Sequence, residues 1–459
     1  MKNKQKRKDD FLEKKSHKEL VLNWALRKMA TAVLQKYQPK IVAITGSVGK
    51  TSAKEAVALV LGAKFRVGKS EKNYNNEIGV PLTIIRAEAG GKSLWRWLGV
   101  FLRWLGTLFF SRDYPEVLVL EMGADRVGDI QYLTSFVKPD IAIITDISSS
   151  HLEYFKNIEA IIREKSILAK VVKAGGLAIF NGDNPHLVKL KISARQNGIE
   201  AELFSFGFSD AVEVRASDVL VGFYGDQPSD SGFERIPGGL SFKLSHVGSV
   251  LPMRLNNVLA KHSIYAALAG VSAGIGMGMN LVEIGASLEE FTLPPGRTTL
   301  LKGIKETRII DDTYNSSTII SVEGALEILR EFEKSRKVVV LGDILEIGSN
   351  TEQEHRLVAK KFLEIDGAVF FAVGRRMLFA VDELKKHGFS GEVQVFSSPL
   401  EVGRKLQEIL RKGDVVLVKG SQGMRMEKVV EEIMAEPERA GELLCRQNKE
   451  WKNKPWKEI

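Results

Sequence analysis

The stretch Ile41-Val-Ala-Ile-Thr-Gly-Ser-Val-Gly-Lys-Thr-Ser52 decides the fold. An apolar run enters a glycine-containing turn, and Lys50-Thr-Ser52 reads as the first turn of a helix. Strand, tight turn and helix N-terminus in that order make a phosphate cradle. Backbone N–H groups at the helix start face the anion, Lys50 reaches the β/γ-phosphates, and the Thr51 hydroxyl can ligate Mg²⁺. The turn is shorter than the common G-x-x-x-x-G-K-[ST] form, because position 44 is Ile and not Gly. Gly-Lys-Thr is common by chance; the strand before it and the helix after it are what point to a nucleotide. The candidate ATP contacts here are Thr45, Gly46, Ser47, Gly49, Lys50, Thr51 and Ser52.

Outward from this turn, short apolar runs alternate with amphipathic stretches. The runs lie at 117–120, 141–145 and 177–180, and later at 308–310, 338–341, 369–373, 393–396 and 415–418. Continuous apolar runs separated by helical patterns predict βαβ units around buried parallel strands, an α/β fold. Residues 200–260 are richer in Gly and Ser and predict a small antiparallel excursion with a loop tip at 225–232. Leu293-Pro-Pro-Gly296 ends a helix predicted over 281–291 and opens a second α/β series. The predicted units are 1–40 (a basic arm and one helix, Leu20–Tyr37), 41–292, 293–436 and a charged tail, 437–459. The run Val117-Leu-Val-Leu-Glu121 places an acid at the end of a buried strand, where α/β sheets bind ligands, so Glu121 is a candidate Mg²⁺ ligand.

The chain has 459 residues, 44% hydrophobic and 27% charged, which excludes disordered and low-complexity classes. Its single cysteine, Cys445, excludes an internal disulfide and cysteine-rich metal sites, and fits a reducing cytoplasm. Residues 1–40 carry 12 Lys/Arg against 4 Asp/Glu, nearly the whole of the formal charge of +9. A general nucleic-acid-binding surface is therefore excluded; a basic arm facing an anionic membrane or solvent is the better reading. The polar start predicts no signal peptide. Residues 94–110, LWRWLGVFLRWLGTLFF, are too short and too arginine-containing to span a bilayer. They read either as an interfacial helix or as one buried against 20–36.

Further pieces, in order, resemble one family. They are Thr45-Gly-Ser-Val-Gly-Lys-Thr-Ser52, Asn73-Tyr-Asn-Asn-Glu-Ile-Gly-Val-Pro81, Leu120-Glu-Met-Gly-Ala124, His151-Leu-Glu153 and Arg163-Glu-Lys165. Then come Pro295-Gly-Arg297, Asp311-Asp-Thr-Tyr-Asn315, Leu341-Gly-Asp-Ile-Leu-Glu-Ile-Gly348 with His355, and Lys419-Gly-Ser-Gln-Gly-Met-Arg-Met-Glu427. Over roughly 40–436 the chain resembles the ATP-dependent Mur ligases. The resemblance implies a P-loop ATPase domain followed by a Rossmann-like domain. It also implies a reaction through an acyl phosphate that adds D-alanyl-D-alanine to UDP-N-acetylmuramoyl-tripeptide. Lys50, Lys165 and His151 become the expected catalytic residues, and Thr51, Glu121, His151 and Lys165 (as a carbamate) the expected Mg²⁺ ligands. Arg297 and Asp312 would contact ATP, and Asn75, Asn76, Tyr314 and Asn315 would line the cleft. His355 reads as a structural or domain-contact histidine, not a catalytic one.

The sequence also departs from the family. Only about 40 residues precede Ile41, fewer than the family's uridine-binding domain needs. The family's His-Asn-x-x-Asn reads His262-Ser-Ile-Tyr-Ala266, Gln422 stands for an arginine, and Thr145-Asp146 for Thr-Asn. Two alternatives follow: a ligase of this type for another carboxylate, and an inactive nucleotide-binding scaffold.

Overall fold

Two mainly parallel sheets, each clothed by helices, make up most of the chain. The computed structural model describes residues 17–70, 74–91, 93–148, 155, 157–224, 236–316, 319–345 and 347–454. The strands of the first sheet are β1 Lys40–Thr45, β2 Val67–Lys69, β3 Val117–Glu121, β4 Ile141–Ile144, β5 Leu177–Asn181, β6 Glu202–Gly207, β7 Val214–Tyr224, β8 Ile236–His246 and β9 Ser249–Asn256. They lie in the order β2-β3-β1-β4-β5-β6-β7-β8-β9. Pairing is parallel as far as β7 and antiparallel for β7–β8 and β8–β9. The expected antiparallel excursion therefore extends the same sheet, with longer strands than the sequence suggested. Its predicted tip, 225–232, falls outside the described residues.

Alternation along β1 explains the uninterrupted apolar run. Val42 and Ile44 face one buried layer while Ile41 and Ala43 face the other. Among the described residues the first six helices are α1 His17–Tyr37, α2 Lys50–Gly62, α3 Gly79–Ile85, α4 Leu94–Phe110, α5 Asp129–Thr134 and α6 Ile158–Lys170. α2 and the helix Ile264–Gly276 cover the first layer. They touch closely because residue 270 is glycine: a Cβ there would lie 3.1 Å from the Ala56 carbonyl group. α1, α3, α5 and α6 cover the other layer.

α1 is a packed element. Its Leu26 sits with Leu82, Ile85 and Val100 in a small apolar cluster. The Trp104 indole donates to the Met29 carbonyl at 3.0 Å. Tyr37 stacks on Tyr114 at 4.3 Å and donates to the Thr107 and Ser111 carbonyls at 2.5 and 2.8 Å. α4 thus packs on α1, as the buried reading expected, yet only Val100 and Thr107 of its residues are fully buried.

The second sheet comprises β10 Thr299–Lys302, β11 Arg308–Asp312, β12 Lys337–Gly342, β13 Val369–Val373, β14 Glu392–Phe396 and β15 Val415–Lys419, ordered β10-β11-β15-β12-β13-β14. Only β10, a short edge strand, runs antiparallel. The start of the charged tail packs on this sheet. Ala440, Leu444 and Cys445 are buried with the core of this sheet, and burial pushes the Cys445 thiol up to about 12. Leu259 and Ala260 share a core with Ile310 and Val322, so an apolar seam joins the two sheets' layers.

Candidate active site

β1 has β3 on one flank and β4 on the other, so successive connections leave it in opposite directions. Such a switch point opens a crevice beyond the strand ends, and the glycine turn 46–49 sits there. A Cβ on Gly46 would fall 2.0 Å from Thr145 Oγ1 and 3.0 Å from the Asp146 nitrogen. Only glycine lets the turn pass this close to the end of β4. Gly49, at φ 84°, starts α2 from a left-handed conformation that favours glycine. Cross-strand bonds fix the loop. Thr45 Oγ1 donates to the Met122 carbonyl at 2.8 Å, the Ser47 N–H to the Asp146 carbonyl at 2.9 Å, and Thr145 Oγ1 to the Val48 carbonyl at 2.6 Å. Lys50 Nζ donates to the carbonyls of Gly46 and Ser47 at 2.7 and 3.2 Å. Loss of hydration in the crevice lowers its pKa, and Glu121 opposes that shift.

Acids and a second lysine surround the turn. Glu121 is buried; its Oε1 accepts from Asn75 Nδ2 at 3.1 Å, while its Oε2 has no partner among the described residues. An orphaned buried carboxylate oxygen beside a phosphate cradle fits a divalent cation, which would supply the missing partner. Lys165, also buried, donates from Nζ to the Gly46 carbonyl at 3.1 Å. Burial first, and Lys50 next, push its pKa down to about 7. Its neighbour Glu164 does a different job, accepting the Gly128 and Ile130 N–H groups at 2.9 and 2.8 Å at the start of α5. Asp146 accepts from Asn184 Nδ2 at 2.8 Å, and burial raises its pKa. His151, an expected catalytic residue and ligand, lies outside the described residues. Among the described residues no three His, Cys, Asp or Glu side chains cluster as a metal site.

Across the crevice stands the start of the second sheet. The Arg297 guanidinium lies 4.0 Å from the centre of the Tyr314 ring, and its Nε has no hydrogen-bond partner among the described residues. It is close enough to lower the pKa of Lys50. Asp312, buried at the end of β11, accepts from the Thr298 N–H at 3.1 Å and from Lys419 Nζ at 2.5 Å. Lys419 also donates to the Asn315 carbonyl at 3.2 Å, and Asn315 Oδ1 accepts from the Gln422 N–H at 3.2 Å.

The structure thus brings Thr45, Gly46, Ser47, Gly49, Lys50, Asn75, Glu121 and Lys165 together, with Arg297 opposite. Thr51 and Ser52 occupy the first turn of α2. Asn76 Oδ1 accepts from the N–H groups of Ile78 and Gly79 at 3.2 and 2.9 Å, just before α3. His355 is structural as expected; Nδ1 donates to the Thr351 carbonyl and Nε2 accepts from the Ile344 N–H. Sequence reasoning missed Arg446, whose guanidinium donates to the Thr313 and Tyr314 carbonyls at 2.5 and 2.7 Å and to Glu427 at 2.8 Å. Thr145 was noted only as the neighbour of the departure at Asp146, though it closes the floor of the loop.

Two family descriptions match this chain: Mur ligase middle domain over 44–95 and 105–271, and Mur ligase, glutamate ligase domain over 296–422. The UDP-N-acetylmuramoyl-tripeptide--D-alanyl-D-alanine ligase of Bacillus subtilis is 27% identical over 414 residues, covering 90% of this chain and 80% of its own. Among solved structures, MurF from Acinetobacter baumannii superposes with a TM-score of 0.72 at 24% identity, covering 89% of this chain and 79% of its own. MurF ligase from Thermotoga maritima in complex with ADP gives 0.71 at 24% identity, over 91% and 84% of the two chains. The family descriptions match both halves of the chain, one on each side of the crevice, and have one conclusion: the chain belongs to the Mur ligase family.

Proposed function

We propose that this chain is an ATP-dependent amide ligase that joins D-alanyl-D-alanine to UDP-N-acetylmuramoyl-tripeptide, releasing ADP and phosphate. The observation that carries the reading is the crevice itself: a glycine turn with Lys50, a buried Glu121 whose Oε2 has no partner among the described residues, and Arg297 opposite. The tripeptide carboxylate attacks the γ-phosphorus of ATP; the bond to ADP breaks and an acyl phosphate forms. The dipeptide amine then attacks the acyl carbon, and the tetrahedral intermediate expels phosphate as the amine loses its proton. The protein's work is positioning and charge neutralisation.

The backbone of 46–52 cradles the phosphates, with Thr45, Ser47 and Ser52 shaping the turn. Lys50 neutralises the transferring phosphoryl group, and Arg297 approaches it from the second domain. Asp312 faces the ribose, and Asn75, Tyr314 and Asn315 border the cleft. Mg²⁺, held by Thr51 and Glu121 and, for a second ion, by His151 and carbamylated Lys165, would supply charge neutralisation at the phosphates. The low pKa of Lys165 leaves much of its amine neutral near pH 7, the form that combines with CO₂. Lys165→Ala should therefore lose most turnover; unchanged turnover removes the carbamate role. The surroundings on this reading are the cytoplasm and the inner face of a membrane, met through 1–40 and 94–110. No described helix is long and apolar enough to cross one.

The test is phosphate release by purified protein given ATP with both substrates, and with each omitted. Release that needs both supports the ligase. Release with neither or with only one points to another acceptor or to uncoupled hydrolysis.

A further inference from the structure

α4 turns its apolar face the wrong way for a soluble surface helix. At 100° per residue, Val100 and Thr107 fall on one side, and both are buried against α1 and α3. On the opposite side stand Leu94, Leu98, Phe101, Leu102 and Phe109, with Trp95 beside them, all exposed; Leu94 is 85% and Trp95 82% accessible. Arg96 and Arg103, seven residues apart, share one edge of this apolar arc. The first two turns of α1 add exposed Leu20, Val21 and Trp24. A patch of this size on a folded surface marks an interaction site.

Charge identifies the occupant. Residues 1–40 carry a net +8 and residues 86–112 a net +4, in a chain whose total is +9; the remainder is therefore net acidic. Half of the first excess, a net +4, belongs to residues 17–40 (α1 and the chain just after it), and the second belongs to α4 and its flanks, the two helices that carry the apolar face. A second copy docked there would set like charges against each other, whereas an anionic lipid surface satisfies both the charge and the apolar arc. At about 1.5 Å per residue the 17-residue helix is long enough to lie in the interface, and its two arginines keep it from crossing. The family match passes over 96–104, so the centre of this helix is an addition to the catalytic body.

We propose that the outward face of α4, with the start of α1, is a membrane-docking surface that seats the first domain on an anionic bilayer, α4 lying in the plane of the interface. The docking does not depend on ligation chemistry, and binding is read without turnover.

The test uses the full chain with vesicles of phosphatidylcholine, alone or with roughly a third phosphatidylglycerol. Wild-type protein should float with the anionic vesicles and far less with the neutral ones, and brominated lipid should quench its tryptophan fluorescence. Leu98→Glu/Leu102→Glu should lower binding by about tenfold or more without changing the melting temperature. Arg96→Gln/Arg103→Gln or high salt should weaken it less. Trp95→Ser keeps the test readable should the glutamates disturb the fold, since it should reduce both the quenching and the binding. Wild-type protein left in the aqueous fraction overturns the proposal, as does a glutamate variant that floats like wild type. So does a micromolar dimer that the glutamates dissociate while no chain floats.

Discussion

Asp312 and Lys419 form a buried pair whose removal can be worked through in numbers. The Nζ–Oδ2 distance is 2.5 Å, and the side chains are 11% and 2% exposed. At an effective dielectric of 20, Coulomb's law gives about 7 kcal/mol of attraction, most of it offset by the cost of drying both ions. Breaking the pair from one side leaves the other charge buried alone. Asp312→Asn and Lys419→Met should each destabilise the second domain by about 3–5 kcal/mol in urea unfolding. The double variant should recover to within about 2 kcal/mol of wild type, giving a coupling energy of roughly 4 kcal/mol or more. ATP affinity separates structure from function. If the carboxylate faces the ribose, KM for ATP stays raised in the double variant although stability returns. Single variants within about 0.5 kcal/mol of wild type, or strict additivity, would refute the reasoning.

Gly46→Ala should cut kcat/KM for ATP by about 100-fold or more, because its Cβ would fall 2.0 Å from Thr145 Oγ1 and displace the cradle; steady-state kinetics at varied ATP check this. Arg446 braces Tyr314, on whose ring Arg297 stacks. Arg446→Ala should lower kcat/KM for ATP by about tenfold, and Arg446→Lys should restore only part, since lysine cannot fork between two carbonyls and Glu427. Buried Asp311 has its pKa raised to about 7 by desolvation, and its Oδ2 has no partner among the described residues. Between pH 4 and 7 the unfolded chain is ionised there while the folded chain keeps its proton, so this group's contribution to stability falls as pH rises through that window. Asp311→Asn should therefore match wild type near pH 4 and exceed it at pH 8 by up to about 4 kcal/mol; parallel stability–pH curves would contradict this.

The sheet cores were legible because strands buried on both faces leave continuous apolar runs, as at Ile41 to Ile44 and Val415 to Val418. β10, half-exposed at an edge, leaves no such run. Gly46 and Gly49 announced the turn, because the local geometry needs glycine. Lys165 carried no local sign of burial: Arg163-Glu-Lys165 reads as a solvated helix face, and only the fold places its ammonium under the Gly46 carbonyl. Asn76 was read as a cleft residue from the resemblance alone; its bonds to the Ile78 and Gly79 N–H groups depend on how the chain turns into α3. Arg446 lies 132 residues from the Tyr314 carbonyl it holds, a separation no periodicity reports. α4 showed its composition but not its facing, which depends on the docking of α1.

The central claim is that one ATP drives one new amide bond through an acyl phosphate of the tripeptide. The most direct measurement uses UDP-N-acetylmuramoyl-tripeptide labelled with ¹⁸O in its acceptor carboxylate, with ATP, Mg²⁺ and D-alanyl-D-alanine, and mass spectrometry of both products. The account predicts a nucleotide product heavier by the dipeptide less water, and one ¹⁸O atom transferred to the released phosphate. Unlabelled phosphate, or ATP turnover with no gain in mass of the nucleotide substrate, would contradict it.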